Sequence, residues 1–352
     1  MKNFLTPQRG CSVIKTKYVL LAATLVLICC VFLSHTACAN ELTVAQSAVL
    51  MERDSGRVLY SKNMDKQLSM ASTTKIMTAL VVAENNDMDE VVTVDSRAVG
   101  IEGSSIYLKE GQKFTVKELL CGLMLRSGND AAVALALHTS GSVEDFVRLM
   151  NERAENLGAT NTHFANPHGL PCEDHYTTAY DLALITACAL KNPTVHDIVA
   201  LKKAVLDNDG NSIVIFNKNK LLNAMPDADG VKTGYTTKAG RCFVGSATRN
   251  GMQLIAVVLN CGPMFEDAES MLNWGFAQYT MTNIVPQNKP IRVIEDKNTV
   301  YYCKQAFSFP LKSDGSEDNL ISKKIERSTD GVYYMNIYFD KQLIFSQKMV
   351  TI

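Results

Sequence analysis

The chain carries no surplus of charge: 35 basic side chains stand against 36 acidic ones in 352 residues, a formal net charge of −1. Without a basic footprint, nucleic acid is not an expected partner. Paired cysteines are also missing. Four of the ten cysteines fall within residues 1–39, and Cys121, Cys172, Cys188, Cys242, Cys261 and Cys303 are scattered without C-x-x-C spacing. That spread argues against a disulfide framework or a zinc site and for buried, inert thiols. No H-E-x-x-H or G-x-S-x-G sequence occurs, which disfavours a zinc hydrolase and an α/β-hydrolase. Repeats and low-complexity tracts are absent. Past the N-terminus no segment reads as a membrane span, because the apolar stretch 119–137 is interrupted by Arg126, Asn129 and Asp130.

What is present is ordinary globular material, 47% hydrophobic and 20% charged, enough for one large domain and a small one. The first residues stand apart. Lys2, Arg9, Lys15 and Lys17 precede an apolar run over 18–33, and Ala37-Cys38-Ala39 follows as a small-x-small cleavage pattern. Residues 1–39 read as an export signal, with an uncleaved membrane anchor as the alternative. Removing those four cations leaves 31 basic against 36 acidic residues, so the remaining body is mildly acidic.

Residues 46–61 turn at Asp54-Ser55-Gly56 and suggest an antiparallel hairpin. Ser72 opens a helical period through Ile76, Met77, Ala79, Leu80 and Ala83. Thr115 with Glu118, Ser142 with Asp145, and Thr178 with Asp181 have the spacing of helix caps. Three strands are expected over 232–236, 241–247 and 254–259, then a closing helix over 266–279. Short β-rich runs at 291–294, 300–303 and 333–339 place a domain boundary near residue 284.

Three short motifs follow in order: Ser72-Thr73-Thr74-Lys75, Ser127-Gly128-Asn129 and Lys232-Thr233-Gly234. Each alone is weak, since Ser12-Val13-Ile14-Lys15 also fits S-x-x-K within the leader. Together they match the S-x-x-K, S-x-N, K-T-G set of serine acyl-enzymes. The chemistry suits the spacing. Serine needs a base to take its proton, and positions i and i+3 of a helix share a face, so Lys75 reaches the Ser72 hydroxyl. That amine must be neutral, which burial and a second cation, for which Lys232 is the candidate, would achieve. Ser127 offers a hydroxyl to relay a proton to the leaving amine, and Asn129 a carboxamide to hold substrate and lysine. Lys232 and Thr233 suit a substrate carboxylate, and Gly234 keeps the strand clear for an extended peptide.

On these residues the chain resembles the serine-type D-Ala-D-Ala carboxypeptidases, the low-molecular-weight penicillin-binding proteins. Asp54-Ser55-Gly56-Arg57-Val58-Leu59-Tyr60, Leu125-Arg126-Ser127-Gly128-Asn129-Asp130-Ala131, Asn166-Pro167-His168-Gly169-Leu170 and Gly230-Val231-Lys232-Thr233-Gly234-Tyr235-Thr236 carry the likeness beyond the three motifs. The resemblance implies an α+β fold of the β-lactamase/transpeptidase type: an antiparallel sheet flanked by helices with a helical insertion over 40–283, then a small all-β domain over 284–352. It implies Ser72 as the acylated residue and an oxyanion hole from the N–H groups of Ser72 and Tyr235. The substrate expected is a peptidoglycan stem peptide ending in D-Ala-D-Ala, with β-lactams as covalent inhibitors. No metal or organic cofactor is expected. The site is expected on the wall side of the cytoplasmic membrane, with membrane association only through an uncleaved N-terminal segment. Two departures stand out. The chain stops at Lys348-Met349-Val350-Thr351-Ile352 in an expected strand where family members often carry an amphipathic helix. No residue matches the basic group that some members place before the closing helix; Arg241 and Arg249 are the nearby alternatives.

Among competing readings, a class A β-lactamase needs a glutamate in an E-x-x-L-N context to activate water. Glu144, Glu152, Glu155 and Glu173 do not stand in one. A zinc site from His163, His168 and His175 lacks ligand spacing. A non-catalytic β-lactam sensor would not require all three motifs intact.

Overall fold

Two apolar runs around a glycine-containing turn form the expected hairpin: β1, Ser47–Glu52, pairs antiparallel with β2, Val58–Lys62. Its turn closes over the buried Glu52, whose carboxylate accepts the Asp54 and Ser55 N–H groups at 3.1 and 2.8 Å and the Ser55 hydroxyl at 2.6 Å. These donors replace the water an interior acid has lost. The computed structural model describes residues 41–351 other than 209, 294 and 295; the expected leader at 1–39 lies outside the described residues.

A 3-10 turn over Ala71–Thr74 runs into α1, Lys75–Asn85, whose first eight residues are all buried. A small ribbon follows, β3, Val91–Thr93, with β4, Lys113–Thr115. The Thr115/Glu118 capping box forms in both directions and starts α2, Val116–Leu125. Next come α3, Asn129–Ser140, α4, Val143–Asn156, and α5, Ala179–Lys191. The last two begin at the expected Ser142 and Thr178 caps, each hydroxyl accepting the N–H of the aspartate three residues on. Helix α6, Pro193–Ala200, has its proline at the first position, where no N–H is needed. A ribbon not expected from the sequence, β5, Lys203–Asn208, with β6, Asn211–Phe216, precedes the short α7, Leu221–Ala224.

Strands β7, Ala228–Thr236, β8, Gly240–Arg249, and β9, Met252–Leu259, complete a five-stranded sheet in the order β2-β1-β9-β8-β7, antiparallel throughout. Side-chain parity divides its two faces. Val49, Met51, Ile255, Val257 and Leu259 join the apolar cluster that holds Leu182 and Ile185 of α5. On the other face Leu50 and Leu254 lie against Gly275 of α8, Met264–Gln278, at distances a β-carbon there would violate. Helices therefore cover both faces, and β9 is buried along its whole length. This is the expected α+β arrangement, with α1–α7 inserted between β2 and β7.

Strand β10, Tyr279–Val285, runs through the expected boundary at 284 and pairs with β13, Phe307–Lys312. Between them lie β11, Ile291–Val293, and β12, Asp296–Tyr302; β14, Ile321–Arg327, β15, Tyr333–Phe339, and β16, Gln342–Lys348, form a further sheet, and β17, Val350–Thr351, pairs with β12. Their core is a separate cluster that includes Ile284, Phe309, Leu311, Tyr333 and Ile337. The expectation of buried thiols holds for Cys121, Cys242, Cys261 and Cys303; Cys172 is exposed and Cys188 half-buried, because both sit on outward-facing positions, and all six are free.

Arg57, at the end of the first turn, reaches across to the β-rich part. Its guanidinium lies 4.4 Å from the Phe339 ring centroid and 5.2 Å from those of Tyr279 and Phe309. It also pairs with Glu317 at 2.6 Å and donates to the Pro310 carbonyl. Planar, fully charged and ringed by aromatic faces, arginine suits this place better than lysine. Replacing it strands Glu317 in a largely buried position. Arg57→Leu should therefore lower the unfolding free energy by about 3 kcal/mol in a denaturant titration; an unshifted midpoint would contradict the packing role.

Candidate active site

The 3-10 turn sets the first pair. Side chains at i and i+3 eclipse in that geometry, and the Lys75 amine lies 3.1 Å from the Ser72 hydroxyl. Lys75 is 0% exposed. Its Nζ also donates to Asn129 Oδ1 at 2.7 Å and to the His168 carbonyl at 2.5 Å. Neither of those oxygens has a proton to give. A neutral amine spends its two N–H bonds there and turns its lone pair to the serine, the arrangement of a base. Burial, then the cations Lys232 and Lys218, hold its pKa well below the usual lysine range, against a smaller opposing effect of Asp130.

Asn129 opens α3 and is itself fixed, its Nδ2 donating to the Glu102 carbonyl at 2.5 Å. The next residue, Asp130, spans the loop opposite. Its carboxylate accepts the Ser105 hydroxyl at 2.6 Å, the Ile106 N–H at 3.1 Å and the Leu108 N–H at 3.0 Å. This carboxylate gathers residues 104–108 beside the serine motif. Ser127, one residue before Gly128, takes a positive φ of 66° and is buried at the cleft wall.

The third wall is β7, an outer strand of the sheet. Lys232 is 1% exposed, its amine donating to the Thr233 carbonyl at 2.9 Å, and burial with the Lys218 cation pushes it down to about 7. Gly234 has a reason beyond substrate clearance: a β-carbon there would stand 3.0 Å from the Ser72 nitrogen and 3.1 Å from the Met70 oxygen. Glycine lets the strand close on the serine turn. Tyr235 follows, 65% exposed. A second glycine works from the other side. Gly169, at φ 91°, would place a β-carbon 2.0 Å from the Ala71 oxygen, so only glycine brings the 166–170 loop and its His168 carbonyl under Lys75.

A cleft of about 310 Å³ results, lined by Ser72, Ser127, Thr233, Gly234 and Tyr235, with Ser104, Lys218, Met264 and Phe265. Lys75, Asn129 and Lys232 lie beneath this lining, so all eight residues singled out in the sequence meet at one place. Ser104, Lys218, Asp130 and the His168 carbonyl were not singled out. Lys218, whose amine lies 3.2 Å from the Ser104 hydroxyl, is the cation exposed in the cleft. The two arginines nominated as alternatives are occupied elsewhere: Arg249 pairs with Asp227 at 2.8 Å, and Arg241 donates to the Gly262 carbonyl at 3.0 Å. His163, His168 and His175 each contact backbone groups through Nδ1.

Two buried lysines burden the fold. With its folded pKa near 7, Lys232 releases a proton that the unfolded chain holds up to the ordinary lysine range. Stability must then rise with pH from about 7 toward 10, because the unfolded state binds more protons there. Lys232→Met should raise the unfolding free energy at pH 7 by about 1–4 kcal/mol, and the gap to the wild type should close as pH rises. A destabilised Lys232→Met protein in thermal or denaturant melts would refute this.

Known proteins share the sequence and the fold. A family profile described as D-alanyl-D-alanine carboxypeptidase matches residues 34–262. D-alanyl-D-alanine carboxypeptidase DacF of Bacillus subtilis is 38% identical over 80% of this chain and 76% of its own length. DacC of Escherichia coli is 39% identical over 71% of this chain and 68% of its own. The crystal structure of penicillin binding protein 5 from Haemophilus influenzae superposes with a TM-score of 0.75 at 28% identity, covering 88% of this chain and 97% of that one. A variant of the Streptomyces K15 DD-transpeptidase gives 0.64 at 37% identity over 67% of this chain and 98% of that one. The chain belongs to the D-alanyl-D-alanine carboxypeptidase family of penicillin-binding proteins.

Proposed function

We propose that the chain removes the terminal D-alanine from peptidoglycan stem pentapeptides through an acyl-enzyme on Ser72. The observation that carries this reading is the fully buried Lys75 amine, held by two acceptors with its third contact on the Ser72 hydroxyl. In the proposed reaction Ser72 Oγ attacks the penultimate D-Ala carbonyl carbon while its proton passes to Lys75 Nζ. The backbone N–H groups of Ser72 and Tyr235 hold the developing oxyanion. The C–N bond then breaks as the proton taken up by Lys75 is relayed through the Ser127 hydroxyl to the departing amine of D-alanine, and an ester remains on Ser72. Water attacks that ester, releasing the shortened peptide and returning the hydroxyl. The terminal carboxylate faces Thr233 and the cations Lys232 and Lys218, and the stem extends along the β7 edge past Gly234 and Tyr235. A β-lactam enters as a substrate mimic and stops at the ester.

Export and domain division belong to the same reading. Residues 1–39 deliver the protein to the wall side of the cytoplasmic membrane, 40–283 carry the chemistry, and 284–352 form an accessory β module. Among the described residues no helix is long and apolar enough to cross a membrane. Membrane association is assigned to the N-terminal segment, if it is retained. No nucleic acid takes part.

Fluorescent penicillin should label the wild type covalently, and Ser72→Ala should not label. Lys75→Ala should acylate at least about a thousandfold more slowly while staying folded. Free D-alanine should appear from a diacyl-Lys-D-Ala-D-Ala peptide; labelling without any such release would leave a penicillin sensor instead. In the same assay kcat/KM should rise as Lys75 loses its proton and fall through about 7 as Lys232 loses its own. Lys232→Arg, which keeps its charge, should move the falling limb upward; a limb that stays in place would remove Lys232 from substrate binding.

A further inference from the structure

Behind Ser72, on the side away from the cleft, a histidine is wired to the serine turn. His175 is 3% exposed, and its Nδ1 accepts the Ala165 N–H at 3.0 Å. That contact fixes the tautomer: the ring hydrogen is on Nε2, which lies 2.7 Å from Thr74 Oγ1. The threonine hydroxyl in turn donates its single proton to the Ala71 carbonyl at 2.8 Å. Each group in this series has one role open to it, so the direction of every hydrogen bond is set. Burial, with His163, Lys75 and Lys238 in the surroundings, pushes His175 down to about 4, which keeps it neutral and leaves Nδ1 free to accept.

The end of the series matters most. Ala71 has φ 48°, in the left-handed region that costs an alanine about 1 kcal/mol. Such a residue persists only where its surroundings over-determine it. Gly169 lies so close to the Ala71 carbonyl that a β-carbon there would meet both it and Thr74 Oγ1, and the Thr74 hydroxyl donates to it. Ala71 immediately precedes Ser72, so its backbone angles aim both the serine hydroxyl and the serine N–H.

We propose that His175 is a positioning residue for acylation, acting through Thr74 on the Ala71 carbonyl to hold Ser72 in its reactive orientation. The proposal rests on Ser72 being the nucleophile. A histidine that serves only as a hydrogen-bonded core residue would affect folding stability and not the rate of the folded protein. Displacement of a reacting group by about 1 Å costs on the order of a hundredfold in rate, so loss of the grip should appear in the chemical step.

The test splits penicillin acylation of the full-length chain into the dissociation constant of the first complex and the rate constant k2 of ester formation. His175→Phe and Thr74→Val should each lower k2 by about tenfold or more, with the first dissociation constant within about twofold. The double variant should lose no more than either single one, because both cut the same series. His175→Gln, whose amide can still donate to Thr74, should recover most of k2. Undiminished k2 in folded His175→Phe, or multiplicative losses in the double variant, would overturn the proposal. Should His175→Phe fail to fold, an undiminished k2 in folded Thr74→Val overturns it equally. A wild type that takes no label overturns the Ser72 assignment first, a different result from a labelled wild type with an indifferent His175.

Discussion

An ammonium group cannot act as a base, and an amine is rarely found inside a protein without a charge partner. Everything around the cleft answers that difficulty at Lys75. The side chain is carried on a helix whose opening residues are all interior, and its amine meets a carboxamide oxygen, a backbone carbonyl and a hydroxyl, with no carboxylate among them. Two cations nearby add to the cost of protonation. Removing a salt-bridge partner from a buried lysine would ordinarily be a defect; here it yields the neutral amine that serine chemistry requires.

The fold supplies those neighbours from distant places. Helix α1 brings Lys75, the start of α3 brings Asn129, the 166–170 loop brings a carbonyl, and β7 brings Lys232. Glycines set the approach. Gly234 closes the strand on the serine turn, and Gly169 closes the loop beneath it. Asp130, the acid whose charge opposes the lowering at Lys75, has its oxygens occupied by the Ser105 hydroxyl and by backbone N–H groups. It can shape the cleft without pairing with Lys75 and undoing its neutrality.

Sequence reading reached the parts of this arrangement that are locally encoded. Caps at Thr115, Ser142 and Thr178 are visible because the acceptor and the acid three residues on lie within one turn. The three motifs are visible because the chemistry demands particular side chains at fixed short spacings. The rest has no such code. The His168 carbonyl is a backbone atom, and its role depends on where Gly169 lets the loop go. Lys218 stands in a connection without a motif, and its place at the cleft comes from packing. In the β-rich part, β14 reads Ile-Ser-Lys-Lys-Ile-Glu-Arg and is exposed along nearly its whole length, so it shows no apolar alternation. The β5–β6 ribbon hides for the opposite reason: Val205, Val214 and Phe216 lie exposed where an alternating strand would show polar residues.

The lysines also bear on timing within the proposed cycle. Lys232 and Lys218 disfavour a proton on Lys75 as long as their charge is unanswered. A substrate carboxylate arriving beside Thr233 answers that charge, and the Lys75 amine becomes a stronger base with the scissile bond in place. When D-alanine leaves with the relayed proton, its carboxylate leaves too, and the two cations again disfavour a proton on Lys75. The same amine is thereby kept neutral as the ester waits for water. Carboxylate recognition and base strength are thus one electrostatic device, which gives a physical reason for a peptide with a free C-terminus to be the better substrate.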